Sequence, residues 1–211
     1  MERPVANGDL MEGRMRNEMQ PTRSRDSLNT LKACIVYACS KPQPENAQLD
    51  HIKLNKVLWY SDTAAYLTSG APITGSKYVR KPRGPVAKYM TAAVNQMIQD
   101  GVITSGKRFD ATLGFWLDTY EVTGSLSDGD EDDANVSGAS IELSSAQKAI
   151  IDDSFRTVCL ESSAMGISDR THGEVWELAA DGEEIPLYAI YAERLGKVTQ
   201  THINDAFSSA A

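Results

Sequence analysis

Cysteine is scarce in this chain, and its count is odd: Cys34, Cys39 and Cys159 are the only three among 211 residues. A disulfide framework needs an even, dense set, so the sequence excludes one and predicts reduced thiols in a core. Histidine is equally sparse, at three, and neither residue type recurs at the spacing of a metal site. Long apolar runs are missing too. The longest, Ala33 to Cys39, falls far short of the roughly 18–20 residues that cross a bilayer. Near the N-terminus Met11, Met15 and Met19 are separated by charges and amides. They do not form the apolar stretch of a secretory signal, and a cytoplasmic location is expected. Positive charge is in deficit: 21 bases against 29 acids leave a net charge of −8, which argues against whole-surface attraction to nucleic acid.

Catalytic motifs are absent in the same way. Gly70 to Lys77 carries two glycines at phosphate-loop spacing but ends Ser76-Lys77, reversing the order in which a lysine reaches phosphate and a hydroxyl faces the metal. The glycines therefore read as turn residues. His172-Gly173-Glu174 has the order used by zinc deaminases, yet no Pro-Cys-x-x-Cys follows it, so the metal could not be completed. Ser168, Asp169 and His172 sit within one turn and lack the Gly-x-Ser-x-Gly elbow of a hydrolase. The plainer reading makes Ser168 a helix cap and His172 a structural donor. Asp152 and Asp153 are neighbours on a helix and point apart. The acidic stretch 125–140 lacks the alternation and terminal glutamate of a calcium loop. No catalytic residue, metal or cofactor is predicted.

What is present is enough apolar sequence, 41%, for one core. Residues 1–26 have no apolar period and read as a disordered tail. A helix is predicted after an Asp26 or Ser27 cap, with Leu28, Leu31, Ile35 and Ala38 inward and a stop before Pro42. A second, from Asp50 to Thr68, buries a stripe of Leu54, Val57, Leu58 and Ala65, with Gly70 as its stop. Lys77 to Arg80 reads as extended. Pro85 stands where proline helps a helix begin, and Val86, Tyr89, Met90, Ala93, Val94, Met97 and Ile98 give that helix one wide apolar face. Val102-Ile103 and Phe115 to Val122 read as strands. Residues 125–140 form a solvated acidic loop. Ser144 or Ser145 caps a helix that turns Ile150, Ile151, Ser154, Phe155 and Val158 inward. A short helix over 171–180 carries Trp176, and residues 189–207 read as broken helix. The fold class expected is α+β: a mainly helical single domain over 27–207 with a small antiparallel hairpin or three-stranded sheet, and a flexible C-terminus at 208–211.

Charge is segregated along this plan. From Gly70 to Asp110 seven bases face two acids, a balance of +5, and from Glu121 to Glu161 ten acids face two bases, a balance of −8. The basic turn is the best candidate for a contact surface. Arg80 and Arg83 can fork onto carboxylate or phosphate, and Tyr78 adds an amphipathic face. The order helix, turn, helix, hairpin also suggests a winged-helix DNA-binding regulator, although the helix expected at 86–100 carries only Lys88 as a base.

Three segments then resemble a known family. Lys53-Leu54-Asn55-Lys56-Val57-Leu58-Trp59-Tyr60, Gly70-Ala71-Pro72-Ile73-Thr74-Gly75-Ser76-Lys77-Tyr78-Val79 and Gly84-Pro85-Val86 look like the opening motifs of the SocA-like antitoxin, or Panacea, domain. Leu143-Ser144, Ser168, Thr171-His172, Trp176 and Ile185-Pro186 resemble its later signature. The resemblance implies a non-enzymatic antitoxin of a bacterial or phage toxin–antitoxin pair, acting by direct binding to a cognate toxin protein. The founding type is also described as an adaptor that delivers its toxin to the ClpXP protease, and the C-terminal Ser208-Ser209-Ala210-Ala211 is similar to tails that this protease reads. Partner contact is expected at Tyr78, Arg80 and Arg83. Ser168, His172, Trp176, Gly84 and Pro85 are expected to hold the motif together.

Overall fold

A computed structural model describes residues 26–43, 48–123, 141–161, 176–177 and 179–190. The expectations placed on the tail before residue 26, the acidic loop 125–140, Ser168, His172, residues 191–207 and the C-terminal 208–211 lie outside these described residues. Within them the fold is α+β, as expected.

Helix α1 covers residues 26–39, with Leu31, Cys34, Ile35 and Ala38 in the core. Asp26 is already helical, so Ser27 is not the cap: its hydroxyl donates to the Thr74 carbonyl at 3.0 Å, tying α1 to a distant loop. Helix α2, His51–Ser69, starts where the sequence indicates. Asp50 is its N-cap, with Oδ1 accepting from the amides of Ile52 and Lys53, each at 2.9 Å. At the other end Gly70 takes φ 77°, a left-handed conformation that costs a glycine little. The expected apolar stripe is too narrow for this helix, because Asn55, Lys56, Ser61, Asp62 and Thr63 are also buried. The reason is position: α2 is packed by helix α4 (Ser145–Phe155), by strand β2 (Gly84–Ala87) and by strand β4 (Phe115–Val122).

Two small antiparallel sheets flank α2. In the first, strand order β2-β1-β5 places β1 (Tyr78–Lys81) between β2 and β5 (Glu184–Ile185). The helix start expected at Pro85 is not there. Residues 84–87 form β2, with Arg80 opposite Pro85 and Val79 opposite Val86. Lys88 N–H donates to Lys77 O at 2.8 Å, so the alternation of an antiparallel ladder puts Pro85 in a non-hydrogen-bonded pair on the outer strand. There a residue without an N–H breaks nothing. Gly84, at φ 118°, closes the Pro82-Arg83 turn, and helix α3 waits until Met90, ending at Gln99.

The second sheet is a hairpin of β3 (Ile103–Asp110) and β4, longer on its first strand than the Val102-Ile103 expected. Thr104 to Lys107 are all exposed, so polarity hid the strand. The ribbon also changes face along its length. Ile103 and Tyr120 are buried at its base, whereas Phe109 and Trp116, on the same side by register, are exposed near its tip. A strongly twisted two-stranded ribbon does this.

Helix α4 begins with a capping box. Ser144 Oγ accepts from the Gln147 amide at 3.3 Å, and Gln147 Oε1 accepts from the Ser144 amide at 2.8 Å. Its last turn widens into a π-helical segment, Arg156–Leu160. Ser144→Ala is expected to cost about 1 kcal/mol, a typical loss for an N-cap, read as a lower urea midpoint with the denaturant slope unchanged. A loss below a few tenths of that would mean that the box does not help hold α4 down.

Candidate functional site

The site is assembled from the middle of α2 outward. Asp62 lies on a helix turn with no solvent exposure, and its carboxylate collects groups from the loop that follows α2. Oδ1 accepts from the Thr74 amide at 2.8 Å, while Oδ2 accepts from the Thr74 hydroxyl and from the Tyr78 hydroxyl, the latter at 2.8 Å. Thr74 Oγ1 in turn accepts from the Ser76 amide at 3.0 Å. Gly75 takes φ 63°, and a Cβ added there would lie 3.3 Å from Ser27 Oγ, so the loop passes close against α1. One buried carboxylate thus fixes the Gly70 to Lys77 segment, the part of the chain with phosphate-loop glycine spacing, as a structural strap.

Burial pushes the Asp62 carboxyl up from its ordinary value, and the bonds from Thr74, Tyr78 and the Ile73 amide pull it partway back. Burial, with the Asp62 charge added, raises the Tyr78 phenol well above its ordinary value. The thiols are raised by burial as well, Cys39 and Cys159 to about 12 and Cys34 in the same direction. Raised thiols are poor nucleophiles.

Tyr78 is therefore not the surface residue that the sequence suggests. It is completely buried and meets Trp59 edge-on, with ring centroids 4.9 Å apart. Arg80 also turns back onto the protein: Nη1 donates to the Ala179 carbonyl at 2.6 Å, and its guanidinium lies 4.3 Å over the Trp176 ring. Trp176 Nε1 donates to the Lys81 carbonyl at 3.2 Å. Arg80 and Trp176 so clamp the 176–185 segment against β1, whose Arg80 backbone exchanges hydrogen bonds of 2.9 Å with Gly182 and Glu183. Of the three turn residues only Arg83 is exposed, with its guanidinium 4.2 Å above the Phe115 ring. The structure separates the three: Tyr78 to the core, Arg80 to the clamp, Arg83 to the surface. Gly84 and Pro85 shape the turn that presents Arg83.

Phe115 brings the hairpin into the site, and a second ionic anchor holds the hairpin there. Arg108 Nη2 donates to Asp50 Oδ2 at 2.9 Å, and both Nη atoms lie 3.3 Å from Asp110 Oδ2. Asp110 Oδ1 accepts from the amides of Thr112 and Leu113 at 3.0 and 3.1 Å, shaping the hairpin turn. The helix N-cap, the strand and the turn are joined through this single guanidinium. Backbone contact continues the seam, since Tyr120 N–H donates to Leu49 O at 3.0 Å. His51, beside this anchor, is held below the ordinary histidine range by burial and by Arg83, against the pull of Asp50 and Asp118.

Sequence reasoning missed Asp62, the Asp50–Arg108–Asp110 anchor and the Phe109/Trp116 pair. A carboxylate inside a helix that otherwise faces a core was the available signal for Asp62. For the hairpin it was Asp110 and Gly114 bracketing a short turn between aromatic-flanked runs. Helix α3, the element before the wing-like hairpin, holds no lysine or arginine between Met90 and Gln99, which leaves a groove-entering helix without phosphate contacts. Among the described residues no group of His, Cys, Asp or Glu is placed to hold a metal ion, and no helix is long and apolar enough to cross a membrane.

Compared with known proteins, the family model described as antitoxin SocA-like, Panacea domain, matches residues 54–177. That span includes Asp62, the strapped loop, the Arg83 turn and the whole hairpin. No curated protein matches the chain, and no solved structure does.

Proposed function

This chain belongs to the SocA-like antitoxin family defined by the Panacea domain, and from that premise we propose that it neutralises a cognate toxin protein by binding it directly in the bacterial cytoplasm. The observation that carries the reading is the family match over residues 54–177, the stretch in which buried polar anchors hold two turns in fixed positions. A binding protein profits from such preorganisation because less ordering entropy is lost on association. The expected contact at the basic turn now rests on Arg83, with Tyr78 and Arg80 supporting it from within.

The activity proposed is stoichiometric. Co-expressed with the product of the neighbouring gene, expected to be the toxin, the chain is expected to restore growth, with rescue tracking the ratio of the two proteins. Rescue by traces of this chain in cells that lack the protease would mean turnover and contradict neutralisation by binding. A neighbour that is harmless alone, or toxic regardless of this chain, would end the antitoxin reading. Delivery to ClpXP is a refinement of the same act, since an adaptor must first hold its cargo. It predicts a toxin half-life that shortens only when chain and protease are both present.

A further inference from the structure

The β3–β4 hairpin ends in an aromatic pair that the fold leaves uncovered among the described residues. Phe109 and Trp116 face one another across the ribbon and meet edge-to-face at 5.5 Å, yet they are 50% and 63% exposed. Leu113, in the turn beyond them, is 40% exposed. Exposing a tryptophan, a phenylalanine and a leucine together forgoes stabilisation that burial in a core would supply. Such clusters on soluble proteins mark contact sites.

The end of the hairpin also carries one unmatched cation on an acidic protein. Arg83 reaches this end of the hairpin through Phe115, which by register faces the other side of the ribbon from Trp116, and it is in no ion pair among the described residues. Lys107 is only loosely matched, 3.9 Å from Asp118, and both lie on the same side of the ribbon as the aromatic pair. Arg108, by contrast, has both Nη atoms engaged by Asp50 and Asp110. That engagement fixes the ribbon on α2, so the tip is presented rigidly. Tryptophan and arginine are the side chains that most often dominate binding energy at protein interfaces.

We propose that the hairpin tip is the toxin-docking surface, with Trp116 and Phe109 seated in an apolar pocket of the toxin whose rim carries a carboxylate opposite Arg83. This rests on the antitoxin reading above. Charge complementarity selects the occupant. On a chain with a net charge of −8, an exposed arginine with no carboxylate partner among the described residues favours a carboxylate at that point of the partner and helps orient the encounter. A single-stranded nucleic acid suits the tip less well. The two rings stand at 64° to one another and form no common stacking platform, and Asp118 lies on their side of the ribbon.

The test uses the full chain and the purified product of the neighbouring toxin gene. Trp116→Ala and Phe109→Ala are each expected to weaken binding by roughly 10- to 100-fold, the range of interface hot spots, with an unchanged urea midpoint because both side chains are exposed. Arg83→Glu is expected to slow association most at low salt. Thr104→Glu, exposed at the base of β3, is expected to bind like wild type. In the wild-type complex, amide exchange over 107–118 is expected to slow. Wild-type affinity in Trp116→Ala and Phe109→Ala, or unprotected 107–118 amides in a complex that forms, overturns the docking surface while leaving the antitoxin reading standing. If the wild-type chain binds no toxin, that reading fails first and the docking surface with it. A low-salt mobility shift with single-stranded DNA that Trp116→Ala abolishes would assign the tip to nucleic acid instead.

Discussion

Replacing Asp62 with alanine is expected to lower the stability of the protein by about 3–5 kcal/mol, the scale for stranding buried hydrogen-bond donors at about 1–3 kcal/mol each. The donors that lose their acceptor include the Thr74 amide, the Thr74 hydroxyl and the Tyr78 hydroxyl. Burying the carboxylate has its own cost, and its removal returns part of that, but alanine offers the donors nothing and water has no access to a side chain with zero exposure. The stranded donors therefore dominate. Asp62→Asn keeps an acceptor for the Thr74 amide and is expected to lose about half as much. Its pH dependence identifies the cause. Because burial raises the Asp62 carboxyl above 3.8 in the folded protein, the native state binds this proton more readily than the unfolded chain. The resulting stabilisation is complete below 3.8 and is lost as pH rises through the folded value. The asparagine variant lacks it, so its deficit is expected to widen on acidification from neutral pH. Urea midpoints across that range measure this, and a deficit that narrows would contradict a buried, upward-shifted Asp62.

Replacing Arg108 with alanine is the second large loss, about 2–4 kcal/mol, somewhat below the range for breaking a buried ion pair because the guanidinium keeps partial contact with water. Its side chain is 25% exposed, whereas those of Asp50 and Asp110 are 2% and 9% exposed. The two carboxylates lose their shared counter-charge, and the hairpin is released from the N-terminus of α2. Arg108→Lys is expected to recover only part of the loss, since a point ammonium cannot bridge two carboxylates as a fork does. Here acid acts in the opposite sense. Burial alone would raise the Asp110 carboxyl, but the amides of Leu113 and Thr112 and the Arg108 charge outweigh it and hold it below 3.8. The stability this contributes is present above 3.8 and lost as pH falls through the folded value. Part of it disappears with Arg108, so the deficit of Arg108→Ala is expected to shrink in acid. A deficit independent of pH would mean that lost packing, not charge, dominates.

How much could be read from the chain follows from how local each interaction is. The Gly70 stop and the Ser144 cap are written within four residues of the ends they control, and each is where the sequence indicates. Helix α3 was expected too early because Pro85 and Val86 satisfy the start signal and the apolar spacing of a helix, while the pairing of Val79 with Val86 is a tertiary fact. Strand β3 was mostly invisible because Thr104 to Lys107 face solvent and carry no apolar alternation. The anchors were harder still. Asp62 meets Tyr78 across 16 residues and Arg108 meets Asp50 across 58, and no local pattern announces either pairing. The same distance explains why Tyr78, polar and next to bases, read as a surface residue until its hydroxyl was seen on Asp62. The family resemblance is legible in short local motifs, one of which, Gly70 to Val79, contains the loop that this buried carboxylate straps.

Direct association is the central claim, and one measurement tests it most closely: size-exclusion chromatography of the purified chain mixed with the purified product of the neighbouring toxin gene, with no other cellular component present. A single earlier-eluting peak that contains both proteins, and from which the toxin is recovered inactive, is the predicted result. Two independent peaks, with the toxin fully active in its own, would contradict neutralisation by binding even if the chain restores growth in cells.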